Sequence, residues 1–569
     1  MVQRGLITED SGWYEAGLSL VERKKRGHFS TPPLLVEHIL DACGYSPETD
    51  LTHLRVLDPA CGSGNFLVGA ARRLMAFEER AGLTHQECIS LVERNLWGFD
   101  PDPVSCFLAE MQLRTVVGNV HSYLHIHQAD SLVLPWEPCV DLFVANPPYL
   151  AAKNNDLSGY RCVHGRGQAD SYLLFLNLAL QVVRPGGWIG LVLPDPLLAR
   201  ANAARERARL LEEVALHHLW HLAGVFAADV GAVVIIGQRC APRATHRVSW
   251  IRERWSVLHQ GDPCGRPGVE WGHSPRTDLT ISASSVECGR PVNTIAQSVF
   301  LCQPGTELRY LLSSERGAVI ERLRAILDDV STGNGRLAPL GEFLSICRGE
   351  EIGRESPRLV EMAGHPAGDG LTVGGNWTYP ILRGGIDIHA YSIPRGHWQI
   401  ARDAIVKPLE RYLSPKLLVV KSTDRLQAAL DLPGHVALQT LYLLHLRDKS
   451  SNEDSLYFFL ALLNSRLLRE YVYNLHTAYK WVQPQIEQRV LAHLPVPIVR
   501  HEERQQVIER AKSLVSACSK PGAVVEWDER INRMYEEQER AICALYASVL
   551  PGLFDDVGTY PSCQPHCCI

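Results

Sequence analysis

The chain has no apolar run approaching the ~20 residues that a membrane span needs. Its longest, around residues 231–237, is far shorter. It also has no excess of positive charge: 57 Lys and Arg stand against 63 Asp and Glu, a formal net charge of −6. Bulk electrostatics therefore cannot hold a polyanion, and any nucleic-acid contact must come from a local basic surface. The opening MVQRGLITED lacks the apolar segment of a secretory leader. The sixteen cysteines have no framework spacing, so reduced thiols in a cytoplasmic protein are expected. Internal repeats, low-complexity tracts, a CxxC pair and an HExxH motif are all missing. Without them, His121, His125 and His127, like His217, His218 and His221, are expected to be structural side chains. The tail Cys563, His566, Cys567 and Cys568 is likewise expected to hold no metal. What is present is an ordinary globular composition, 46% hydrophobic and 21% charged, over 569 residues, enough for two to four domains.

Residues 54–250 alternate between strand and helix signals. Leu54-Arg-Val-Leu-Asp58 is a short apolar strand, Cys61-Gly-Ser-Gly-Asn65 a glycine-rich turn, and 66–81 an apolar-periodic helix. Further strands are expected at 96–99, 125–128, 141–145, 188–193, 218–222 and 232–236. This βαβ rhythm implies an α/β fold with a mostly parallel sheet covered by helices on both faces. Ligands of such sheets bind beyond the carboxyl ends of the strands, so the residues that follow each strand carry most information.

Those residues are chemically pointed. In Asp58-Pro-Ala60-Cys-Gly62-Ser-Gly64 the glycines allow a sharp turn and close approach to a ligand. A dinucleotide loop would want a third small residue where Leu67 stands, so that reading fails. Asp100 ends the second strand, where a carboxylate can accept both hydroxyls of a ribose. Asp130 ends the third, where it can accept a hydrogen bond from an adenine amino group. Each acid alone could cap a helix; three in order at successive strand ends weaken that explanation. The most pointed segment is Asp141-Leu-Phe-Val-Ala-Asn146-Pro147-Pro148-Tyr149. Consecutive prolines fix φ and leave rigid carbonyls. The Asn146 side-chain oxygen and the Pro147 carbonyl can then accept both protons of one exocyclic amine and hold its lone pair toward an incoming group. Tyr149 offers a face on which a flipped base can stack.

These residues resemble the gamma-group N6-adenine DNA methyltransferases of type II and type IIG restriction–modification systems. The resemblance is close over about 25–240 and looser over 336–500. It implies a class I S-adenosylmethionine-dependent methyltransferase fold, Rossmann-like with a seven-stranded mostly parallel sheet, followed by an α+β target-recognition domain. It also implies S-adenosyl-L-methionine as cofactor and double-stranded DNA as partner, and leaves open whether separate restriction or defence proteins work alongside. Within Gly27-His-Phe29-Ser-Thr31-Pro32-Pro33, Thr31 would contact the methionine carboxylate. Asp58, Ala60, Gly62, Gly64, Asp100 and Asp130 would complete the cofactor site. Phe226, in Gly224-Val-Phe226-Ala-Ala-Asp-Val230, would be a second aromatic against the target base. Two departures stand out. Ser131 replaces an aromatic found in some members, with Pro101 and Leu132 as the alternative apolar contacts. The single carboxylate-x-lysine triplet, Glu22-Arg-Lys24 with Asp10 upstream, lies in a segment too short for a nuclease core, so no nuclease domain is expected.

The boundaries implied are a catalytic domain at 1–250, a connector at 251–335, a recognition domain at 336–500 and a helical segment and tail at 501–569. Leu340-Gly-Glu-Phe, Arg348-Gly349, 457–465 and 481–497 carry the second half of the resemblance. Over 401–425, Arg402, Lys407, Arg411, Lys416, Lys421 and Arg425 face only Asp403, Glu410 and Asp424. That excess marks a phosphate-contacting stretch, with Lys407, Lys416 and Lys421 as its candidates. The competing readings are an NPPY-type methyltransferase acting on RNA or protein glutamine, and a silent DNA-recognition subunit. The former lack the Thr-Pro-Pro segment at this spacing and a large specificity domain. The latter has no chemical reason to keep Asn146, Tyr149, Gly62 and Gly64.

Overall fold

The computed structural model describes residues 29–150, 157, 160, 170–226, 231–255, 293–328, 336–353, 356–361, 372–373, 376–393, 398–448, 450–481, 484–518 and 529–555. The Gly27-His28 pair, the triplet near Glu22, residues 227–230, Val482-Gln483 and the cysteine-rich tail lie outside them. The chain divides into two compact units, 1–310 and 311–569.

The first unit is built on a nine-stranded sheet of order β3-β2-β1-β4-β5-β7-β6-β8-β9. Its strands are β1 (Val56–Asp58), β2 (Leu96–Asp100), β3 (His125–Gln128), β4 (Val140–Ala145) and β5 (Val183–Pro194). Then come β6 (Ala215–Ala223), β7 (Ala232–Gln238), β8 (Arg247–Arg254) and β9 (Thr294–Ala296). β1 to β5 run parallel, and β7 is antiparallel to both β5 and β6. That order and orientation is the class I methyltransferase sheet. The inner strands carry unbroken apolar runs because helices cover both faces.

Two features differ from the seven strands and the connector expected. β8 pairs parallel with β6, and β9 antiparallel with β8, so the edge of the sheet is paired rather than open. Gln297, buried just after β9, accepts from Leu216 N at 2.9 Å and donates to the Leu211 and Val214 carbonyls at 2.8 and 2.7 Å. Residues assigned to a connector therefore complete the first unit's sheet, and that unit extends to Tyr310.

Helix Asn65–Ala81 follows β1 through the glycine turn. A Cβ on Gly98 of β2 would sit 2.6 Å from the Leu67 side chain. The small residue that lets helix and strand approach thus lies on the strand, which explains why Leu67 occupies the helix position. Gly64 has φ 95°, and a Cβ there would fall 2.9 Å from the Ala109 Cβ on helix Pro103–Val117. Gly62 also has a positive φ, 54°, but open space around it. Gly64→Ala is therefore expected to cost about 1–3 kcal/mol of stability, from backbone strain and overpacking together. Gly62→Ala should cost only about 1 kcal/mol, from the backbone alone. Thermal unfolding of the two variants compares them, and an equal loss would contradict the packing role of Gly64.

The second unit carries β10 (Leu337–Pro339), β11 (Leu344–Arg348), β12 (Leu359–Glu361), β13 (Thr372–Val373), β14 (Asn376–Leu382) and β15 (Trp398–Ala401). It continues with β16 (Lys416–Val420), β17 (Ala428–Asp431), β18 (Val436–Ala437), β19 (Leu441–Leu446) and β20 (Pro495–Pro497). Its main sheet is antiparallel, β11-β19-β16-β17. One face packs on helices Asp454–Asn464, Arg466–Leu475, His501–Cys518 and Glu529–Val549 in the unit's largest apolar cluster. The apolar stretch 456–473 forms two helices that break at Ser465, whose hydroxyl caps the second by accepting from Leu468 N. No helix of the described residues is long and apolar enough to cross a membrane.

Candidate active site

A pocket opens at the carboxyl ends of β1 to β4. It is lined by Phe29, Ser30, Thr31, Asp58, Ala60, Cys61, Gly62, Asn65, Asp100, Pro101, Asp130, Leu132, Asn146, Pro148, Tyr160, Ser171 and neighbours. Residues spread over more than 140 positions therefore meet at one cavity, where the strand-end rule places them. Gly64 does not line it and acts through packing, as above.

The acids do structural work as well. Asp100, nearly fully buried, accepts from Gly62 N at 3.0 Å and from Asp102 N at 2.8 Å, so it shapes the glycine loop. Asp130 accepts from Leu132 N at 3.0 Å and from the Tyr160 hydroxyl at 2.7 Å. That bond to Asp130 pushes the Tyr160 hydroxyl up to about 12. Asp58 is buried and accepts from Ala60 N at 3.2 Å. Burial, reinforced by the Asp100 charge, pushes its carboxyl up to about 8. Ser131, in place of the aromatic seen in some methyltransferases, donates to the Pro59 carbonyl at 2.7 Å and so locks the first and third strand ends together. Pro101 and Leu132 line the pocket where that aromatic would contribute.

Asn65 and Phe29 were not singled out from sequence. Asn65 Nδ2 donates to the Thr31 carbonyl at 2.7 Å and to Ser30 Oγ at 2.9 Å, tying the segment before the first helix to the glycine loop. Asn146 Nδ2 donates to the Phe29 carbonyl at 2.6 Å. A carbonyl can only be met by the NH₂ end of the amide, so this bond fixes the orientation of Asn146 and presents Oδ1 as its acceptor. Ser171 accepts from Leu150 N at 2.9 Å and donates to the Pro148 carbonyl, bracing the tetrapeptide without using the Pro147 carbonyl.

Beside Asn146 stand three aromatic rings. Phe29 and Phe226 have centroids 5.7 Å apart, Phe29 and Tyr149 6.3 Å, and Tyr149 and Phe226 6.2 Å with near-perpendicular planes. The Tyr149 hydroxyl donates to the Val192 carbonyl, and burial, with the Asp195 charge, pushes it well above its ordinary range. It is an anchored ring and not a proton donor to a ligand. The sequence signal that could have found Phe29 is its aromaticity two positions before Thr31; nothing local shows that its carbonyl meets a residue 117 positions on.

His125, His127, His217, His218 and His221 pack on aromatic neighbours, whereas His121 is exposed. His125 stacks on Trp97 at 3.7 Å, and His221 Nδ1 bonds the Tyr310 hydroxyl at 2.6 Å.

In the second unit the expected phosphate-contacting lysines divide. Lys416 is fully buried and bonds Asp431 and the Tyr412 carbonyl, so it cannot contact DNA. Its position starts β16, and the strand turns its side chain inward onto a carboxylate that β17 supplies. Lys407 spends its ammonium on the Arg348 and Gly349 carbonyls beside Glu351. Of the three, only Lys421 is partly exposed without a hydrogen bond of its ammonium to another described residue.

Comparison with known proteins agrees with both halves. Residues 13–253 match the family "N-6 DNA Methylase" and residues 379–496 the "TaqI-like C-terminal specificity domain". The type II methyltransferase M.VspI of Vibrio sp. (strain 343) is 26% identical over 208 residues, 36% of this chain and 46% of that protein. M.PaeR7I of Pseudomonas aeruginosa, another type II methyltransferase, is 27% identical over 256 residues, 41% of this chain and 44% of that protein. The chain thus spans less than half the length of these curated relatives. Among solved structures, the type IIL restriction-modification enzyme MmeI in complex with DNA aligns over 95% of this chain and 80% of that one. Its TM-score is 0.55 at 12% identity, a likeness of fold. One stretch of the first unit therefore resembles N-6 DNA methylases, and one stretch of the second resembles TaqI-like C-terminal specificity domains.

Proposed function

We propose that the chain is a cytoplasmic, site-specific DNA methyltransferase acting on N6 of an adenine turned out of the duplex, in a restriction–modification or phage-defence system. The observation that carries this reading is the Asn146 carboxamide, locked by the Phe29 carbonyl and opening to the same pocket as Asp100 and Asp130. Oδ1 of Asn146 and the Pro147 carbonyl accept the two amine protons. Two fixed acceptors orient the nitrogen lone pair and stabilise the positive charge that develops on it. Phe29, Tyr149 and Phe226 supply the apolar faces that take up a base removed from its stack.

The donor set fits S-adenosyl-L-methionine. Asp100 would take the ribose hydroxyls, Asp130 the adenine amine and Thr31 the methionine carboxylate. Ala60 and Gly62 offer backbone, and Pro101 and Leu132 an apolar clamp. When bound, this cofactor supplies the electrophilic methyl group. The type II methyltransferase relatives and the specificity domain favour duplex DNA over RNA or a protein glutamine as acceptor.

The test is transfer of tritiated methyl to unmodified duplex DNA, followed by chromatography of the released nucleosides. Label is expected on N6-methyladenine. Label on cytosine would end the adenine assignment, and label only on RNA or protein would end the DNA assignment.

A further inference from the structure

Two apolar rows of the second unit's main sheet end in a cation. Along β11 the alternating positions Leu344, Ile346 and Arg348 share one face, and along β16 the positions Leu417 and Val419 lead to Lys421, one step past the strand. The apolar members of both rows belong to or pack on the same core cluster. Between the rows runs β19, where Tyr442 is the register partner of both Arg348 and Val419. Lys421 N donates to the Thr440 carbonyl at 2.9 Å, so the pairing with β19 continues to that residue. Arg348 and Lys421 therefore stand on one face, at one end of the sheet, where the core runs out.

The end is braced. The Tyr442 hydroxyl, beside the Arg348 charge, donates to the Ile486 carbonyl at 3.0 Å. Ile486 N in turn donates to the Lys421 carbonyl at 2.9 Å. Gly349 admits the backbone of the strand end, since a Cβ there would fall 2.2 Å from the Ala437 carbonyl oxygen. The charges facing Lys421 are Arg348 and, opposing it, Glu351, which is itself 4.0 Å from Lys407. Partial burial, and then Arg348, hold the Lys421 amine below its ordinary value. Two cations held together on a braced scaffold are relieved by an anion, and arginine's planar fork suits a phosphate.

We infer that Arg348 and Lys421 form the phosphate-contacting pair of the specificity unit, gripping the sugar–phosphate backbone of duplex DNA. This rests on the DNA-methyltransferase reading above. It takes the place of the assignment to Lys407 and Lys416, whose ammonium groups are spent within the fold.

The experiment is a salt titration of full-length protein by fluorescence anisotropy. The probes are a labelled duplex carrying the methylated site and a duplex of scrambled sequence. In the double variant Arg348→Gln/Lys421→Gln the slope of log K against log salt is expected to fall by about 1.8, two phosphate contacts at about 0.9 each. Both duplexes should weaken by the same factor, with cofactor affinity and melting temperature unchanged. The charge-keeping variant Arg348→Lys/Lys421→Arg should retain the wild-type slope. An unchanged slope in the glutamine variant overturns the inference. So does loss of slope in the charge-keeping variant, which would show a purely structural role, and so does weakening of the matched duplex alone, which would show base reading. Wild-type protein that binds neither duplex would overturn the DNA reading itself and this pair with it.

Discussion

Asn146→Ala is expected to lower the rate of methyl transfer by about 10²–10³-fold, the cost of deleting one preorganised group from a charge-developing site. The affinity for S-adenosylmethionine should change little, because Asp100, Asp130 and the glycine loop keep their own backbone bonds. Asn146→Asp is the more telling change. Its carboxylate keeps an acceptor but has no N–H to give the Phe29 carbonyl, so two oxygens repel where a 2.6 Å hydrogen bond stood. Asp should therefore fall with Ala and not recover activity. Single-turnover rates with saturating cofactor separate this from weakened binding. Wild-type turnover in Asn146→Ala would remove the tetrapeptide from the chemistry. Full activity in Asn146→Asp would remove the orienting role of the Phe29 carbonyl.

The second large effect concerns stability. Asp431→Ala is expected to destabilise the second unit by about 3–5 kcal/mol, because it leaves the Lys416 ammonium buried without its counter-charge. Asp431 also receives His435 N at 2.8 Å, the His435 ring at 2.7 Å and Gly434 N at 3.2 Å. Burial alone would raise its carboxyl, but the His435 and Lys416 bonds outweigh that and hold it below its ordinary value. Removing both charges together, as in Lys416→Met/Asp431→Leu, should recover most of the loss, since an apolar pair of similar volume carries no unpaired charge. Urea unfolding followed by a probe in the second unit measures both variants. A loss under about 1 kcal/mol in Asp431→Ala would mean that Lys416 escapes to water. The same pair gives a contrast with Lys421: Lys416→Met/Asp431→Leu should leave the salt slope of DNA binding untouched.

Much of the first unit was legible because its signals are short-range. The strand–turn–helix around Asp58, Gly62 and Gly64 and the strand before Asn146 each declare themselves within about ten residues. Once a parallel α/β sheet is inferred, the strand-end rule brings Asp100, Asp130 and Asn146 to one pocket without further information, whereas Thr31 is tied there by Asn65. The boundaries were less legible. β9 is three residues in a region without period, and it becomes a strand only because β8 offers it an unpaired edge. Ser465 splits a continuous apolar pattern because its hydroxyl caps the second helix more favourably than it continues the first.

Sequence by itself determined the first unit's fold class, the order of its pocket-lining residues and the chemistry that an Asn-Pro-Pro-Tyr turn can offer. Those follow from residue type and local spacing, which a chain carries before it folds. Tertiary structure alone decided which partners those residues meet. The Phe29 carbonyl orients Asn146, Gly98 rather than residue 67 admits the helix, and Asp431 turns Lys416 from a surface cation into a buried ion. Charge counting over 401–425 could not separate Lys416 from Lys421, five positions on. In a strand a side chain's fate depends on which face its parity selects and on what the neighbouring strands place there.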